Sequence, residues 1–348
     1  VKRSASPAIS VVMAVYNGER FLAAAIESVL AQSFGDFELV IVDDGSSDGS
    51  TEILAGYAER DPRVVPHRQQ NQGAPAALNA GVGLARAPLI ARLDADDVAL
   101  PGRLEAQHRC LCANEALGMV GGQVVIVDEH DRAIADAEYP LSDAEIRREF
   151  ARTTPFVHSA VTMRKTTFQR AGGYRPSFNL AEDLDLWLRM AEHGELANLD
   201  SAVVRYRIHE NQVSAQKLEL QAIRSLAART GAQMRAAGMA DPFDTNAPID
   251  EEFLLAQGTG ASEIDAAIVE AATWLAKTLD RAGYRQPARG LFDLAAARAR
   301  SSSDSATLSA SVQRAIANRH ADQGHPLRAK LGHLRAALTE KAVPGLRR

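Results

Sequence analysis

The sequence predicts an α/β fold, a doubly wound and mostly parallel sheet, followed by a C-terminal α-helical region. Three observations predict it. β-Branched runs at residues 9–15, 38–43, 64–65 and 88–93 alternate with segments whose apolar residues recur at helical spacing, the pattern of strand–helix–strand units. Each of the strongest runs ends in polar or acidic residues, as expected where a parallel sheet opens onto a ligand. Beyond residue 215 the strand-like runs stop, and Ala-rich helical patterns separated by Gly, Pro and Ser take over.

The elements follow in order. Residues 9–15 (Ile-Ser-Val-Val-Met-Ala-Val) read as a buried strand closed by the turn formers Asn17 and Gly18. In residues 19–33, Phe21, Leu22, Ile26, Val29 and Leu30 make one apolar helical stripe. Residues 38–42 form a second strand ending in Asp43 and Asp44, with a Gly/Ser/Asp turn leading into a helix from Thr51. Val64 and Val65 mark a third strand, followed by Asn71-Gln72-Gly73 and a small-residue helix over 74–86; residues 88–93 are the fourth. Two regions read as further strands: 120–127, expected at the sheet edge, and 156–164. Residues 128–140 read as irregular, 143–150 as a short helix and 202–208 as a last strand.

With 348 residues, 46% hydrophobic and 24% charged, the chain is globular. A net charge of -5 excludes nucleic acid as the main partner, because no segment before the last residues concentrates Lys and Arg. Cys110 and Cys112, two apart in a helical stretch, point away from each other and read as packed thiols in a reducing compartment. There is neither a leader-like apolar segment nor a run approaching the roughly 20 apolar residues that span a bilayer, so a cytoplasmic protein is expected.

The chemistry points to one rim. Asp94, Asp96 and Asp97 stand together after an apolar run, and carboxylates about 4 Å apart repel by roughly 4 kcal/mol at an effective dielectric of 20. A cation is the natural remedy, and hard oxygen ligands suit Mg²⁺ or Mn²⁺. Such a metal could hold a diphosphate and neutralise it as a leaving group. Asp44 can accept a hydrogen bond from a nucleobase N–H, and Asn71, Gln72, Gly73 and Asn79 lie on or beside the turn after the third strand, where amides can bond hydroxyls. For Asp43, Asp44 and Asp48 a capped turn is the competing reading. No Gly-x-Gly-x-x-Gly fingerprint or phosphate loop is present.

Taken together, the segments from Ser10 to Asn17, Ser28 to Phe34 and Val42 to Gly49, then Asn71-Gln72-Gly73, Ala77-Leu78-Asn79 and Leu93 to Asp97, resemble the family-2 glycosyltransferases of the GT-A fold. The resemblance implies inverting transfer from a nucleoside-diphosphate sugar, most often a UDP-sugar, with Mg²⁺ or Mn²⁺ on the diphosphate. On it, Asp94 and Asp96 serve the metal, with Asp96 the direct ligand, and Asp44 meets the base. Val15, Tyr16, Gln72, Gly73, Asn79 and Ala95 complete the donor site together with those three acids.

A second chemical site lies at Glu182-Asp183-Leu184-Asp185. Acids are favoured in a first helical turn by the dipole alone. Asp185 and Arg189, four apart, should pair, which leaves Asp183 free to face the rim. In the family, the Asp of a Glu-Asp pair followed by an aromatic is the base that deprotonates the acceptor hydroxyl. Asp183 matches that Asp and Trp187 the aromatic. His158 reads as a core histidine; His209 reads either as part of the metal shell or as a loop cap.

The expected division is a GT-A domain over 1–214, a helix and linker over 215–260 and a helical C-terminal domain over 261–348, with helices at 264–282, 287–299, 306–318 and 326–341. The helical region, with Arg328, Lys330, Arg335, Lys341, Arg347 and Arg348 in its last helix and tail, reads first as a solvated helix face, and otherwise as a surface for acceptor binding, for a partner or for contact with the inner face of a membrane. The partners expected are a sugar nucleotide and a glycan, lipid-linked or other hydroxyl acceptor, in surface or extracellular polysaccharide synthesis. A sugar-phosphate nucleotidyltransferase is the rival enzyme, although residues 16–20 hold one glycine where it would carry a Gly-rich loop. A catalytically silent sugar-nucleotide-binding scaffold is the rival from another class.

Overall fold

A computed structural model describes residues 6–209, 216–322 and Ala336. Compactness divides the chain into two units, one of residues 1–207 with 232–239 and the other of residues 208–231 with 240–348. Residues 215–260, expected as a separate helix and linker, are shared between them.

The first unit is built on a nine-stranded sheet of order β3-β2-β1-β4-β8-β6-β9-β5, with β7 paired to β6. Strands β1 (Ile9–Val15), β2 (Phe37–Asp43), β3 (Val64–Arg68) and β4 (Leu89–Arg92) run parallel. Every residue of β2 and β4 is buried, which explains why these strands read as continuous apolar runs. Helix α1 (Glu19–Leu30) follows β1, α2 (Ser50–Arg60) packs on β3, and α3 (Ala74–Leu84) lies across β1 and β2. There Gly81 lets the helix approach closely: a Cβ at that position would stand 2.6 Å from Val12 Cγ1.

Beyond β4 the sheet becomes mixed, and several expectations need correction. The two-residue strand β5 (Val98–Ala99) and helix α4 (Arg103–Ala113) precede β6 (Leu117–Val127), which sits inside the sheet between β8 and β9 instead of at its edge. Residues 128–140 contain a strand, β7 (Ala133–Ala137), hidden from pattern reading because it lies outside the core and none of its residues is buried. After α5 (Asp143–Glu149), the expected strand over 156–164 splits into a 3-10 turn at His158–Ala160 and a short strand β8 (Thr162–Arg164) antiparallel to β4. Helices α6 (Lys165–Arg170) and α7 (Glu182–Met190) follow. The last strand, β9 (Glu195–Arg207), begins seven residues before the expected 202, because its first half is polar and half exposed. Cys112 is exposed and Cys110 half-buried, both free, so neither is a core thiol.

In the second unit, α8 (Leu218–Ala236) runs on from it into residues 232–236, and α9 (Glu251–Ala256) occupies part of the expected linker, its first turn capped by the Asp250 carboxylate on the Phe253 amide at 2.9 Å. Helices α10 (Ala261–Arg281), α11 (Arg285–Ser301) and α12 (Ser305–Asp322) pack through Ile268, Leu275 and Ala276 of α10 and Phe292 and Ala295 of α11. The Arg298 guanidinium joins Glu219, Glu251 and Asp265 at 2.9, 3.0 and 3.4 Å, linking α8, α9 and α10 to α11. The helix expected over 326–341 lies outside the described residues apart from Ala336.

Candidate active site

The rim of the first unit is knit together by its own polar residues. At the end of β1, Val15 is buried and Tyr16 is 56% exposed. Asn17 adopts φ 53°, a conformation asparagine tolerates, with its Oδ1 accepting from the Ser47 amide at 2.8 Å and its amide donating to Ser46 Oγ at 3.0 Å. The paired acids of β2 divide their work. Asp43 shapes the turn, taking the Ser46 amide at 2.8 Å and the Thr51 hydroxyl at 2.7 Å. Asp44, 3% exposed, reaches across to the loop after β3 and accepts from Gln69 Nε2 at 2.8 Å, the Gln72 amide at 2.9 Å and the Gly73 amide at 2.8 Å. Asp48 caps α2 through the Ser50 amide and also takes the Glu19 amide, the capped-turn role.

Gly73 stands at φ +87°, and a Cβ there would lie 3.6 Å from Asn179 Nδ2, so this loop meets the segment that leads into α7. Asn79 makes a second tie to that region: its Nδ2 donates to the Tyr174 carbonyl at 2.8 Å and its Oδ1 accepts the Tyr174 amide at 3.0 Å. Gly18 brings the β1 loop against the acidic loop, since a Cβ there would stand 3.7 Å from that of Ala95.

The acidic loop carries its own counter-ion. Arg92, 3% exposed, donates to Asp94 Oδ1 at 2.5 Å, while Ser159 Oγ donates to Oδ2 at 2.8 Å and accepts the Asp94 amide at 2.9 Å. Burial works against the Asp94 charge, but Arg92 and the Ser159 hydroxyl hold its carboxyl below the usual range. Asp96 and Ala95 are half-buried, and the Asp96 carbonyl accepts Arg207 Nε at 2.8 Å. Asp97 points inward: Oδ1 accepts the Arg207 amide at 2.7 Å, Oδ2 is buried without a partner, and burial next to Asp96 and Asp94 pushes its carboxyl well up. Arg207 also donates to Asp131 at 2.9 Å and covers the Phe21 ring at 4.7 Å.

Helix α7 brings in the second acidic pair. Asp185 is buried between Arg175 and Arg189, the latter at 2.5 Å, which confirms its structural role. Glu182 is 9% exposed and accepts the Leu180 amide at 2.6 Å. Asp183 is half-buried; Oδ1 accepts the Leu184 amide at 2.7 Å, and Oδ2 accepts from no protein group among the described residues. Burial, reinforced by Asp94, raises the Asp183 pKa to about 6; burial and the Asp183 charge raise that of Glu182 to about 7. The turn at residues 158–160 touches both acidic segments, with Ser159 on Asp94 and the His158 ring against Trp187 of α7. His158 Nε2 pairs with the Tyr174 hydroxyl at 2.8 Å, its ring stands edge-on to Trp187, and burial with Arg92 nearby lowers its pKa to about 3, so it is neutral. His209 follows β9 by two residues and belongs to the second unit.

Arg92, Ser159 and Arg207 were not singled out by sequence reasoning. Arg92 could have been, because an arginine near the end of a buried apolar run requires an internal partner. Nothing in the sequence pairs Arg207 with residues 96 and 97.

The rim offers few donors to a divalent cation. Among the described residues no three His, Cys, Asp or Glu side chains are arranged to hold a metal ion. Both Asp94 oxygens are engaged and the Asp97 side chain is turned inward, so a cation at this loop would draw on Asp94 and Asp96 with little further help from the protein. That suits a Mg²⁺- or Mn²⁺-like ion held by one or two carboxylates and completed by substrate oxygens and water, and it does not suit an all-protein cage.

A parallel half-sheet ending in an acidic rim, extended by a mixed half and followed by helices, defines a GT-A-type transferase fold. The sequence model described as Glycosyl transferase family 2 matches residues 10–170. The chain is 35% identical over 209 residues to "Putative glycosyltransferase EpsE" of Bacillus subtilis, covering 59% of this chain and 74% of that protein. It is 34% identical over 216 residues to "O-antigen biosynthesis glycosyltransferase WbnJ" of Escherichia coli, covering 61% and 83%. In fold it is similar to the mannosyltransferase PcManGT of Pyrobaculum calidifontis in complex with GDP-Man and Mn²⁺, at TM-score 0.54, 18% identity, and 98% and 88% coverage. It is also similar to S. aureus TarS 1-349 in complex with UDP, at TM-score 0.53, 14% identity, and 96% and 90% coverage. The chain belongs to glycosyl transferase family 2.

Proposed function

We propose that the protein is an inverting glycosyltransferase that moves a sugar from a nucleoside-diphosphate donor, a UDP-sugar in this reading, to an acceptor hydroxyl in surface or extracellular polysaccharide synthesis. The observation that carries it is that one turn supports both acidic motifs, Ser159 holding Asp94 and His158 packing edge-on against Trp187 of α7, beside an Asp183 that keeps one oxygen without a protein partner among the described residues and has a pKa raised to about 6. A base with a pKa just below neutrality is ionised at working pH and still basic enough to accept a proton. In the proposed step Asp183 takes the acceptor's hydroxyl proton, the oxygen attacks the anomeric carbon, and the bond to the diphosphate breaks on the opposite face with its electron pair leaving on the nucleotide.

Asp96, with Asp94, would hold a Mg²⁺ or Mn²⁺ ion, which when bound supplies positive charge to the departing diphosphate. Asp44 would orient the base through lone-pair capacity left by its three amide partners, while Val15, Tyr16, Gln72 and Gly73 would form the wall around it. Asn79, occupied by the Tyr174 backbone, would act by placing the 172–174 turn. A lipid-linked acceptor on the cytoplasmic side, met at the inner face of the membrane, fits this reading. The O-antigen function in the name of WbnJ supports it, and among the described residues no helix is long and apolar enough to cross a membrane.

The test is a panel of UDP-glucose, UDP-galactose, UDP-N-acetylglucosamine and GDP-mannose with Mn²⁺, read by thermal shift and by nucleotide release. A donor that binds only the folded protein raises its melting temperature. The reading requires at least one such shift, with release abolished in Asp183→Asn; release unaffected by that substitution would remove the base assignment.

A further inference from the structure

The residue before the Glu-Asp pair is strained. Leu180 stands at φ +88°, a left-handed conformation that a γ-branched side chain rarely adopts and that costs of order 1–3 kcal/mol unless its surroundings enforce it. A hydrogen bond enforces it: the buried Glu182 carboxylate accepts the Leu180 amide at 2.6 Å, closing a tight loop two residues long at the entry of α7. Asp183 follows directly, with one oxygen on the Leu184 amide and the other left for substrate. If Leu180 relaxed to negative φ, the chain would enter the helix along a different path and carry Asp183 with it. We propose that Glu182 is a positioning residue: it clamps the Leu180 backbone in its left-handed state and so fixes Asp183 at the rim.

This rests on the assignment of Asp183 as the base, and it gives the first acid of the pair a duty separate from proton transfer. The clamp needs an acceptor oxygen, which Gln keeps and Ala lacks; it does not need the charge. Glycine populates positive φ without a steric cost, so Gly at position 180 makes the clamp partly redundant.

Nucleotide release from whichever panel donor turns over, with Mn²⁺, is measured for Glu182→Ala, Glu182→Gln, Leu180→Gly, the double variant Glu182→Ala/Leu180→Gly, and Asp183→Asn. A thermal shift with UDP and Mn²⁺ reports that each is folded. Misplacing a catalytic group by about 1 Å costs on the order of 100-fold, so Glu182→Ala should lose about that factor in kcat with the donor KM nearly unchanged. Glu182→Gln should stay within about fivefold of wild type, since the acceptor oxygen survives. Adding Leu180→Gly to Glu182→Ala should recover about tenfold.

A Glu182→Gln variant as slow as Glu182→Ala, or a double variant with no recovery, would overturn the clamp. Wild-type kcat in Glu182→Ala, with Asp183→Asn inactive, would overturn the clamp and leave the base assignment standing. Wild-type kcat in Asp183→Asn would strike the base assignment itself. Should Glu182→Ala fail to fold, Glu182→Gln and Leu180→Gly alone decide: the clamp requires both to remain active.

Discussion

Replacing Ser159 by alanine isolates the support beneath the acidic loop, because one hydroxyl both receives the Asp94 amide at 2.9 Å and donates to its carboxylate at 2.8 Å. Hydrogen bonds to charged groups contribute about 1.5–3 kcal/mol, but the Asp94 side chain is 35% exposed and water can take over that half, leaving about 1 kcal/mol. The amide stranded behind it adds about 1–2 kcal/mol. The sum, about 2–3 kcal/mol, corresponds to a fall of roughly 5–10 °C in Tm for a unit of some 200 residues. With Oδ2 released and Oδ1 still on Arg92, the carboxylate can swing about that single anchor, so the donor KM should rise about tenfold while kcat changes less. Differential scanning fluorimetry and nucleotide release measure the two effects separately. A Tm within about 1 °C of wild type together with an unchanged KM would refute the assignment of Ser159 as the anchor of Asp94.

Other outcomes follow from the same geometry. As the proposed base, Asp183 must be ionised to accept a proton, and with its pKa raised to about 6 the rate should fall as pH drops through 6; an acid limb centred near 4 in the pH-rate profile would contradict the assignment. Its folded pKa lies above the ordinary 3.8, so its contribution to stability is fully present below about pH 4 and lost as pH rises through 6. At pH 7.5 Asp183→Asn should therefore be more stable than wild type by about 1–2 kcal/mol while inactive, which thermal melts can check. Gly121→Ala should destabilise by more than about 3 kcal/mol, since the new Cβ would sit 2.1 Å from Asn198 Oδ1 and 2.6 Å from Phe156 Cδ1; soluble, native-like melting would refute this. Gly73→Ala, forced to φ +87°, should cost about 1–2 kcal/mol and weaken UDP binding measured calorimetrically. Chelation with EDTA should abolish nucleotide release, and Mn²⁺ or Mg²⁺ should restore it; undiminished release in EDTA would remove the cation from the reading.

Three strands of the parallel half, β1, β2 and β4, were legible because they are buried on both faces and therefore carry apolar runs, as in Ile9–Val15 and Phe37–Asp43, whereas β3 is mostly exposed and showed only its two valines. The mixed half was less so. β7 has no buried residue, β9 is polar through its first half, and the His158–Ala160 turn is as apolar on either side as a strand would be. At the site, residue types revealed which acids gather, while partner choice escaped notice. Ser159 and Arg207 act on residues 65 and 111 positions away in the chain, and no local spacing encodes such a pairing. For the Glu-Asp pair the sequence shows two neighbouring acids at a helix start, but the left-handed Leu180 beside them is invisible in a leucine.

In the proposed reaction, the buried guanidinium of Arg92 bears on the order in which ligands arrive. One positive charge already sits against Asp94, so a divalent ion approaching the empty protein would meet a partly cancelled field and few uncommitted oxygens. A nucleotide diphosphate brings both the missing negative charge and the missing ligands. On this view cation and donor enter as a single complex, and affinity for free Mn²⁺ measured without nucleotide should understate what the site holds during turnover.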